Sequence, residues 1–478
     1  MQIDPHTLSL TLAGTLLVIL QISVTVHILL HKEDVASAIG WSGLVWLAPI
    51  LGCILYVLLG INRIRRKAIR LQRGRTHTIT LNSKTADEIE NQIPPSLSPL
   101  LHLGRKVHPQ SMAQGNHITP LCNGDQAYPR MCSAIAQAKH EVLIASYIFN
   151  NDAAGKMFIQ ALQQATCNGA KARILIDGMG INYSRPTIVK ALKSIPGIEW
   201  AVFLPNRHPF NLPFVNLRNH RKVMVIDGET AFFGGMNISQ GNLLLSHPKE
   251  PIQDVTFEVH GPVIAQIQQL FLEDWRFANK QSLLPYRPVT DPSHTAQGTA
   301  LARIIPDGPD ADYGKIAQMC LGALACAQKS VRIVTPYFLP GNRILSALET
   351  TALRGVEVEI ILPRKSNIFG MDWAMQANFA RLSTAGVHIY RAKPPFDHSK
   401  LFLVDDVWLF AGSANWDVRS FKLNFEGNME SIDTSLAEQV GRIIDRKKQL
   451  SVSVHKNTRT RWYHTLLFNT FRLLTPYY

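Results

Sequence analysis

From residue 5 to residue 31 the chain contains no Asp, Glu, Lys or Arg, and residues 8–30 are dominated by Leu, Val, Ile, Thr and Ala. A second uncharged run covers residues 35–62, and its apolar part, residues 41–61, holds Trp41, Trp46 and Tyr56. Each run reaches the roughly 20 apolar residues that cross a hydrocarbon core ~30 Å thick. The pattern predicts two transmembrane helices, at about residues 8–30 and 41–61, joined by the short loop 31–40. A signal peptide needs a positive n-region, and no Lys or Arg precedes the first run. A buried core helix of this length would carry charge on one face. Gln21 and His27 are the polar exceptions in the first run.

Further along, the pattern changes to short apolar runs alternating with helical stretches. After a basic juxtamembrane segment and polar, Pro-containing linker, residues 63–110, the chain reads as strand 139–149, helix 154–167 and strand 172–177. The same order returns as strand 328–338, helix 343–354 and strand 356–362, with Gly169 and Gly355 each placed between helix and second strand. Strands alternating with helices predict an α/β fold, a sheet flanked by helices. The repetition predicts two domains, residues 111–290 and 291–478, after the helical residues 1–62.

A second repeat carries the chemistry. His220, Lys222 and Asp227 are followed by Gly234, Gly235 and Asn237, while His398, Lys400 and Asp405 are followed by Gly412, Ser413 and Asn415 at identical spacing. Chance matches of this length do not keep five positions in register. The residues after each His are apolar and rich in β-branched side chains, which favours a strand. Positions two apart share a strand face, so each His and its Lys point the same way. An ammonium beside an imidazole suits a phosphate: Lys neutralises the nonbridging oxygens while His attacks phosphorus or protonates a leaving oxygen. Two such halves facing one another supply the nucleophile and general acid that displacement at a phosphodiester requires. Asp227 and Asp405 have the opposite parity and are expected to brace strand and turn. Asn237 and Asn415, after tight Gly turns, are expected to offer amide donors to phosphate oxygens.

Composition sharpens the partner. Of 478 residues, 46% are hydrophobic and 18% charged, which excludes a disordered chain. The net charge of +14 points to an anionic partner. Residues 61–75 carry a net +7 and residues 442–478 another +7, so everything else sums to zero. Charge at two flanks around a neutral body fits docking against acidic lipid better than nucleic-acid binding. By the positive-inside rule the Arg-rich stretch after the second run is cytoplasmic, giving a multi-pass protein of the inner (cytoplasmic) membrane with a cytoplasmic catalytic part. The six Cys residues are scattered, with neither C-x-x-C nor Cys/His spacing for a metal.

The duplicated H-x-K-x4-D motif resembles the phospholipase D superfamily. Within it, two apolar N-terminal runs, Asn216 and Asn219 beside the first motif, and Trp416, Asp417, Arg419 and Glu426 after the second resemble the bacterial cardiolipin synthases. The resemblance covers nearly the whole chain. It implies duplicated phospholipase D-like domains related by a pseudo-twofold axis, with a mixed β-sheet flanked by helices and no cofactor or metal. It also implies catalytic motif residues His220, Lys222, Asp227, His398, Lys400 and Asp405. The implied reaction transfers a phosphatidyl group from one phosphatidylglycerol to another through a phosphatidyl-histidine on His220, with His398 as acid and then base. Glu426 and Asp254 match the family's acidic partners of the catalytic His residues. Two positions depart from the pattern. Gly235 stands where many members carry Ser, and Asp397 precedes His398 where relatives tend to carry an apolar residue; the adjacent carboxylate either raises the pKa of His398, which suits an acid, or is inert. A membrane phospholipase D that hydrolyses phospholipids to phosphatidic acid would use the same residues, and a nuclease is disfavoured by the apolar runs. The sequence leaves open which His is the nucleophile, which alcohol accepts the phosphatidyl group, and the oligomeric state.

Overall fold

The computed structural model describes residues 5–32, 34–60, 93–205, 217–279, 298–454 and 462–473. These fall into two compact units, one helical and within the first 60 residues, the other α/β and holding everything from Ile93 onward.

In the helical unit the first apolar run is one helix, Pro5–His31. Its segment Thr11–His31 has a mean hydropathy of 2.1 and is long and apolar enough to cross a membrane. The second run was expected as one continuous span over 41–61 and is instead broken. It forms the helix Val35–Leu47, the helix Pro49–Leu55 and a π-turn, Tyr56–Gly60. Pro49 is the cause: its ring disfavours the helical region for the residue before it, and Ala48 sits at φ −133°, ψ 75°. Proline also has no N–H for the carbonyl four residues back, which is that of Val45. Gln21 fills the gap by donating its side-chain Nε2 to the Val45 oxygen at 3.0 Å. Trp46 Nε1 donates to Thr25 Oγ1 at 3.1 Å, and His27 Nδ1 lies 2.9 Å from Tyr56 Oη. The polar residues that interrupt the first apolar run therefore hold the second run against it. Gln21→Leu should lower the stability of this helical pair by ~1 kcal/mol, read as a lower thermal midpoint of the detergent-solubilised protein; an unchanged midpoint would show that Val45 has another donor.

The α/β unit carries, among the described residues, a 15-stranded mixed sheet. Its first-half strands are β1 Ala113–Cys122, β2 Glu141–Ser146, β3 Lys171–Asp177, β4 Ile198–Phe203, β5 Lys222–Ile226, β6 Thr230–Gly234 and β7 Val255–His260. The second half supplies β8 Ala300–Asp307, β9 Ser330–Val334, β10 Glu357–Pro363, β11 His388–Ala392, β12 Leu401–Val404, β13 Trp408–Gly412, β14 Glu426–Ile432 and β15 Ser451–Ser453. The order runs β15-β11-β10-β9-β12-β13-β14-β8-β1-β7-β6-β5-β2-β3-β4. Read outward from the antiparallel β1/β8 pair, β1-β7-β6-β5-β2-β3-β4 mirrors β8-β14-β13-β12-β9-β10-β11, so the repeat in the sequence is a repeat in the sheet.

Strands β5 and β12 are buried along their whole length, because helices cover both faces of the sheet. Helices Asn123–Ala136 and Ala153–Cys167 share one apolar cluster with Val142, Ile144, Met224 and Phe232, while Ile264–Asn279 packs against β2, β5 and β6. In the second half Lys315–Cys326 and Asn342–Leu353 cluster with Val331, Ile333 and Phe402. The linker expected to reach residue 110 gives way to a helix, Ser98–Val107, whose Leu100 and Leu101 join that second core.

The basic segment 61–75 lies outside the described residues. At the other flank, part of the charge is spent inside the protein: Lys447 pairs with Asp397 at 2.6 Å and Lys448 pairs with Glu359. The expectation that the whole C-terminal cluster faces acidic lipid is corrected to that extent.

Candidate active site

Lys222 opens β5 beside the end of β2, and Lys400 directly precedes β12 beside the end of β9. Each ammonium folds back onto the carbonyl of its own motif His, at 2.5 Å in both halves, as the shared strand face requires.

The backbone then crosses between halves. The residues before the first motif bridge to the second half through Asn219 and Phe425, with His220 N donating to Phe425 O at 2.9 Å and Phe425 N to Arg218 O at 2.8 Å. Conversely, Phe396–Asp397 pairs with Ile252–Gln253, and His398 N donates to Gln253 O at 2.7 Å. This exchange sets each imidazole against a carboxylate from the opposite half. His220 Nδ1 lies 3.3 Å from Glu426 Oε1, and His398 Nδ1 lies 2.8 Å from Asp254 Oδ2. The sequence identified both acids but not the crossing, which no local pattern encodes. With Nδ1 turned to a carboxylate, Nε2 is the nitrogen each ring has for a reacting atom. Both imidazoles keep an opening to solvent, with side chains 20% and 18% exposed, whereas the two acids are buried.

The partners are not equivalent. Glu426 accepts from Ser413 Oγ at 2.6 Å and from Asn424 Nδ2 at 3.1 Å, and that same amide lies 3.2 Å from His220 Nδ1. At Gly235, the counterpart of Ser413, a Cβ would stand 3.0 Å from Lys400 Cδ and 3.3 Å from Asp254 Oδ1. A Ser there would contribute the hydroxyl that Glu426 receives and Asp254 does not. Asn424 belongs to the stretch that carries the family resemblance but was given no role of its own; it stands at the bend two residues before Glu426, just ahead of β14.

Asp227 and Asp405 end β5 and β12 in the left-handed region, φ 51° and 53°. Asp227 accepts from the backbone N–H groups of Lys139, His140 and Glu141 at 2.8–2.9 Å. Asp405 accepts from Gln328, Lys329 and Ser330 at 2.7–2.9 Å. Both clamp the turn entering the neighbouring strand, at the end of their own strand opposite the Lys. These are the bracing contacts that their parity implied. Asn237 uses its Oδ1 to accept from Ile148 N at 3.1 Å, fixing its amide beside the cavity it shares with Lys222 and Ser146. Asn415 is buried on the turn before Trp416–Asp417, its backbone N donating to Ser420 Oγ at 3.2 Å. Of the two readings of Asp397, the structure favours the inert one: it pairs with Lys447 and accepts from Ser399 Oγ at 2.7 Å. The carboxylate beside His398 is that of Asp254.

The electrostatics follow from burial. Burial pulls His220 down to about 4 against the opposing pull of Glu426, and lowers His398 with Lys400 adding to the effect. It also brings Lys222 down to about 8 and Lys400 to about 7. For Glu426 burial pushes the other way, but His220, Lys222 and Ser413 outweigh it and hold the carboxyl below its usual range. An anion placed between the two lysines would favour their charged forms.

Arg221, between His220 and Lys222, locks the halves together. Its guanidinium donates to Glu426 O at 2.8 Å and to Asp307 O at 3.1 Å, and pairs with Asp274 at 2.6 Å. Asn219 also reaches Asp274, at 2.8 Å.

Comparison with known proteins agrees with this geometry. The family described as "Cardiolipin synthase, PLD-like domain" matches residues 131–275 and 321–448, one segment in each half, and "Phospholipase_D-nuclease N-terminal" matches residues 19–60. Cardiolipin synthase 1 of Bacillus anthracis is 32% identical over 87% of this chain and 84% of its own length. The major cardiolipin synthase of Bacillus subtilis is 30% identical, covering 86% of each chain. Among solved structures, the phosphatidylserine synthase of Haemophilus influenzae shares the fold at a TM-score of 0.60 and 14% identity, over 80% of this chain and 98% of that one. A duplicated His-Lys site at the junction of two mirrored half-sheets, matched in both halves by one family and accompanied by relatives over most of its length, makes this chain a member of the cardiolipin synthase family of the phospholipase D superfamily.

Proposed function

We propose that the protein is a membrane-bound phosphatidyltransferase that makes cardiolipin from two molecules of phosphatidylglycerol. The observation that carries this reading is the pairing of two His-Lys motifs in one cleft, each His held by a buried carboxylate of the other half. Phosphatidylglycerol enters with its phosphodiester between Lys222 and Lys400, and its negative charge offsets what burial takes from both ammonium groups. His220 Nε2 attacks phosphorus as the phosphorus–oxygen bond to the glycerol headgroup breaks. His398, which enters this step as the imidazolium held by Asp254, delivers the proton that this oxygen takes up, and glycerol leaves. The product is a phosphatidyl-histidine, with Glu426 stabilising the positive ring. The headgroup hydroxyl of a second phosphatidylglycerol then gives its proton to His398, its oxygen displaces His220 from phosphorus, and cardiolipin is released.

Burial, which lowers His220 to about 4, favours the neutral imidazole that the nucleophile's role needs. The apolar residues 5–60 anchor the enzyme, with Val35–Gly60 returning across the membrane as a kinked span and the catalytic unit on the cytoplasmic side.

Purified enzyme given phosphatidylglycerol in detergent should yield cardiolipin and glycerol in equal amounts, measured by mass spectrometry and a glycerol assay. Phosphatidic acid without cardiolipin would assign the protein to hydrolysis instead.

A further inference from the structure

The loops that leave the sheet at the Lys end of each half carry exposed apolar side chains. After β3, Met179 and Tyr183 are 37% and 62% exposed. The Tyr183 ring lies 6.2 Å from that of Tyr147, which lies 4.4 Å from His220. After β10 the same chain of contacts occurs in the other half. Asn367 accepts from Tyr337 Oη at 2.6 Å, the Tyr337 ring is 6.1 Å from Phe396, and Phe396 is 6.2 Å from His398. Two residues beyond Asn367, Phe369 is 80% exposed. Both rims of the cleft are thus apolar and outward-facing.

The second rim is extended by the C-terminal helix Trp462–Arg472. Phe471 seats it, with ring centroids 5.7 Å from Phe369 and 4.8 Å from Trp373. The helix has no buried residue, and Trp462 and Leu466 on it are 77% and 61% exposed. An 11-residue helix is ~16 Å long, too short to cross a bilayer and suited to lying in its interface, where Trp and Tyr concentrate. Charge selects the occupant. From Arg446 to the end the sequence has no Asp or Glu, and Lys456, Arg459 and Arg461 closely precede this helix in the chain. A protein partner matching the apolar face alone would leave those cations unanswered, whereas an anionic bilayer answers both.

We infer that the helix Trp462–Arg472 and Phe369 form a docking surface for an anionic lipid bilayer, seating the mouth of the cleft on the membrane so that lipid headgroups enter between its two rims. The lipid source of the substrate rests on the function proposed above; the docking itself does not.

The test uses the full-length chain reconstituted in phosphatidylglycerol-containing liposomes. A polarity-sensitive dye on Leu466→Cys, in a Cys167→Ser background because Cys167 is exposed, should shift to the blue and be quenched by spin-labelled lipids. The same dye on Glu438→Cys, an exposed position on another helix, should remain wet and unquenched. Independently, the Trp462→Ser, Leu466→Asp double variant should lose about tenfold or more in turnover of bilayer phosphatidylglycerol, the scale of a lost apolar anchor. Turnover of short-chain phosphatidylglycerol dissolved as monomers should stay within about twofold, since no anchor is needed there. A dye at position 466 as wet as at position 438 would overturn the inference, as would dye self-quenching that rises with protein density, the mark of a contact between two copies. Equal loss on both substrates would assign the helix a structural role only. Since the dye reads depth and not chemistry, an enzyme that makes phosphatidic acid could still dock.

Discussion

The His220→Ala enzyme is expected to lose essentially all transfer activity, about 10³–10⁴-fold or more, and so is the His398→Ala enzyme. The two losses differ in kind. In the proposed reaction His220 supplies the nitrogen that bonds to phosphorus, so nothing replaces it. His398 supplies a proton to a poor leaving group, and a substrate whose leaving group departs without a proton no longer needs that help. With phosphatidyl-p-nitrophenol, the His398→Ala enzyme should release a burst of nitrophenolate close to one per site, whereas His220→Ala should release none. A burst from His220→Ala and not from His398→Ala would exchange the two roles. Each variant should retain the wild-type thermal midpoint within a few degrees, since both rings face an open cleft and carry little of the packing.

The second large effect comes from the crossed carboxylates. Glu426→Gln keeps the size of the side chain but removes the charge that stabilises the imidazolium of His220, and it disturbs the bonds from Ser413 and Asn424. A loss of about 10²–10⁴-fold in kcat is expected, with smaller changes in KM. Asp254→Asn should lose a similar amount by weakening His398. The diagnostic result is again the activated substrate. Asp254→Asn should follow His398→Ala and keep its burst, although Asp254 lies in the same half as His220, while Glu426→Gln should follow His220→Ala. If each acid variant instead followed the His of its own half, the crossed geometry would not be the working one. The pH dependence should report the lysines: Lys400, brought by burial to about 7, loses its charge as pH rises through that value, so the KM for phosphatidylglycerol should climb toward alkaline pH. The loss of the proton on Lys222 near 8 should add to the climb.

Much of this was legible in the sequence because it was written twice. The strand-helix-strand order and the positions of His, Lys, Gly and Asn repeat, and the expected strand over 172–177 and helix over 154–167 lie within a residue of Lys171–Asp177 and Ala153–Cys167. The parity of Asp227 and Asp405 placed them off the His-Lys face, and the structure finds them clamping turns. The crossing was not legible, because it depends on Asn219–Phe425 and Phe396–Ile252 contacts more than a hundred residues apart. Asp397 was left open between two readings for a related reason: adjacency in sequence to His398 did not disclose Lys447, fifty residues on, which takes its carboxylate. In the apolar N-terminal runs, hydropathy gave the length of the first helix, but Pro49 in the second carried the decisive information. Gln21, an apparent flaw in a span, is the donor that answers it.

The account turns on a covalent intermediate at one particular histidine. Wild-type enzyme mixed with phosphatidylglycerol, quenched within a single turnover and digested under conditions that preserve phosphohistidine, should yield a peptide carrying a phosphatidyl group on His220 and none on His398. A group found on His398, or transfer at full rate with no adduct on either residue, would contradict it.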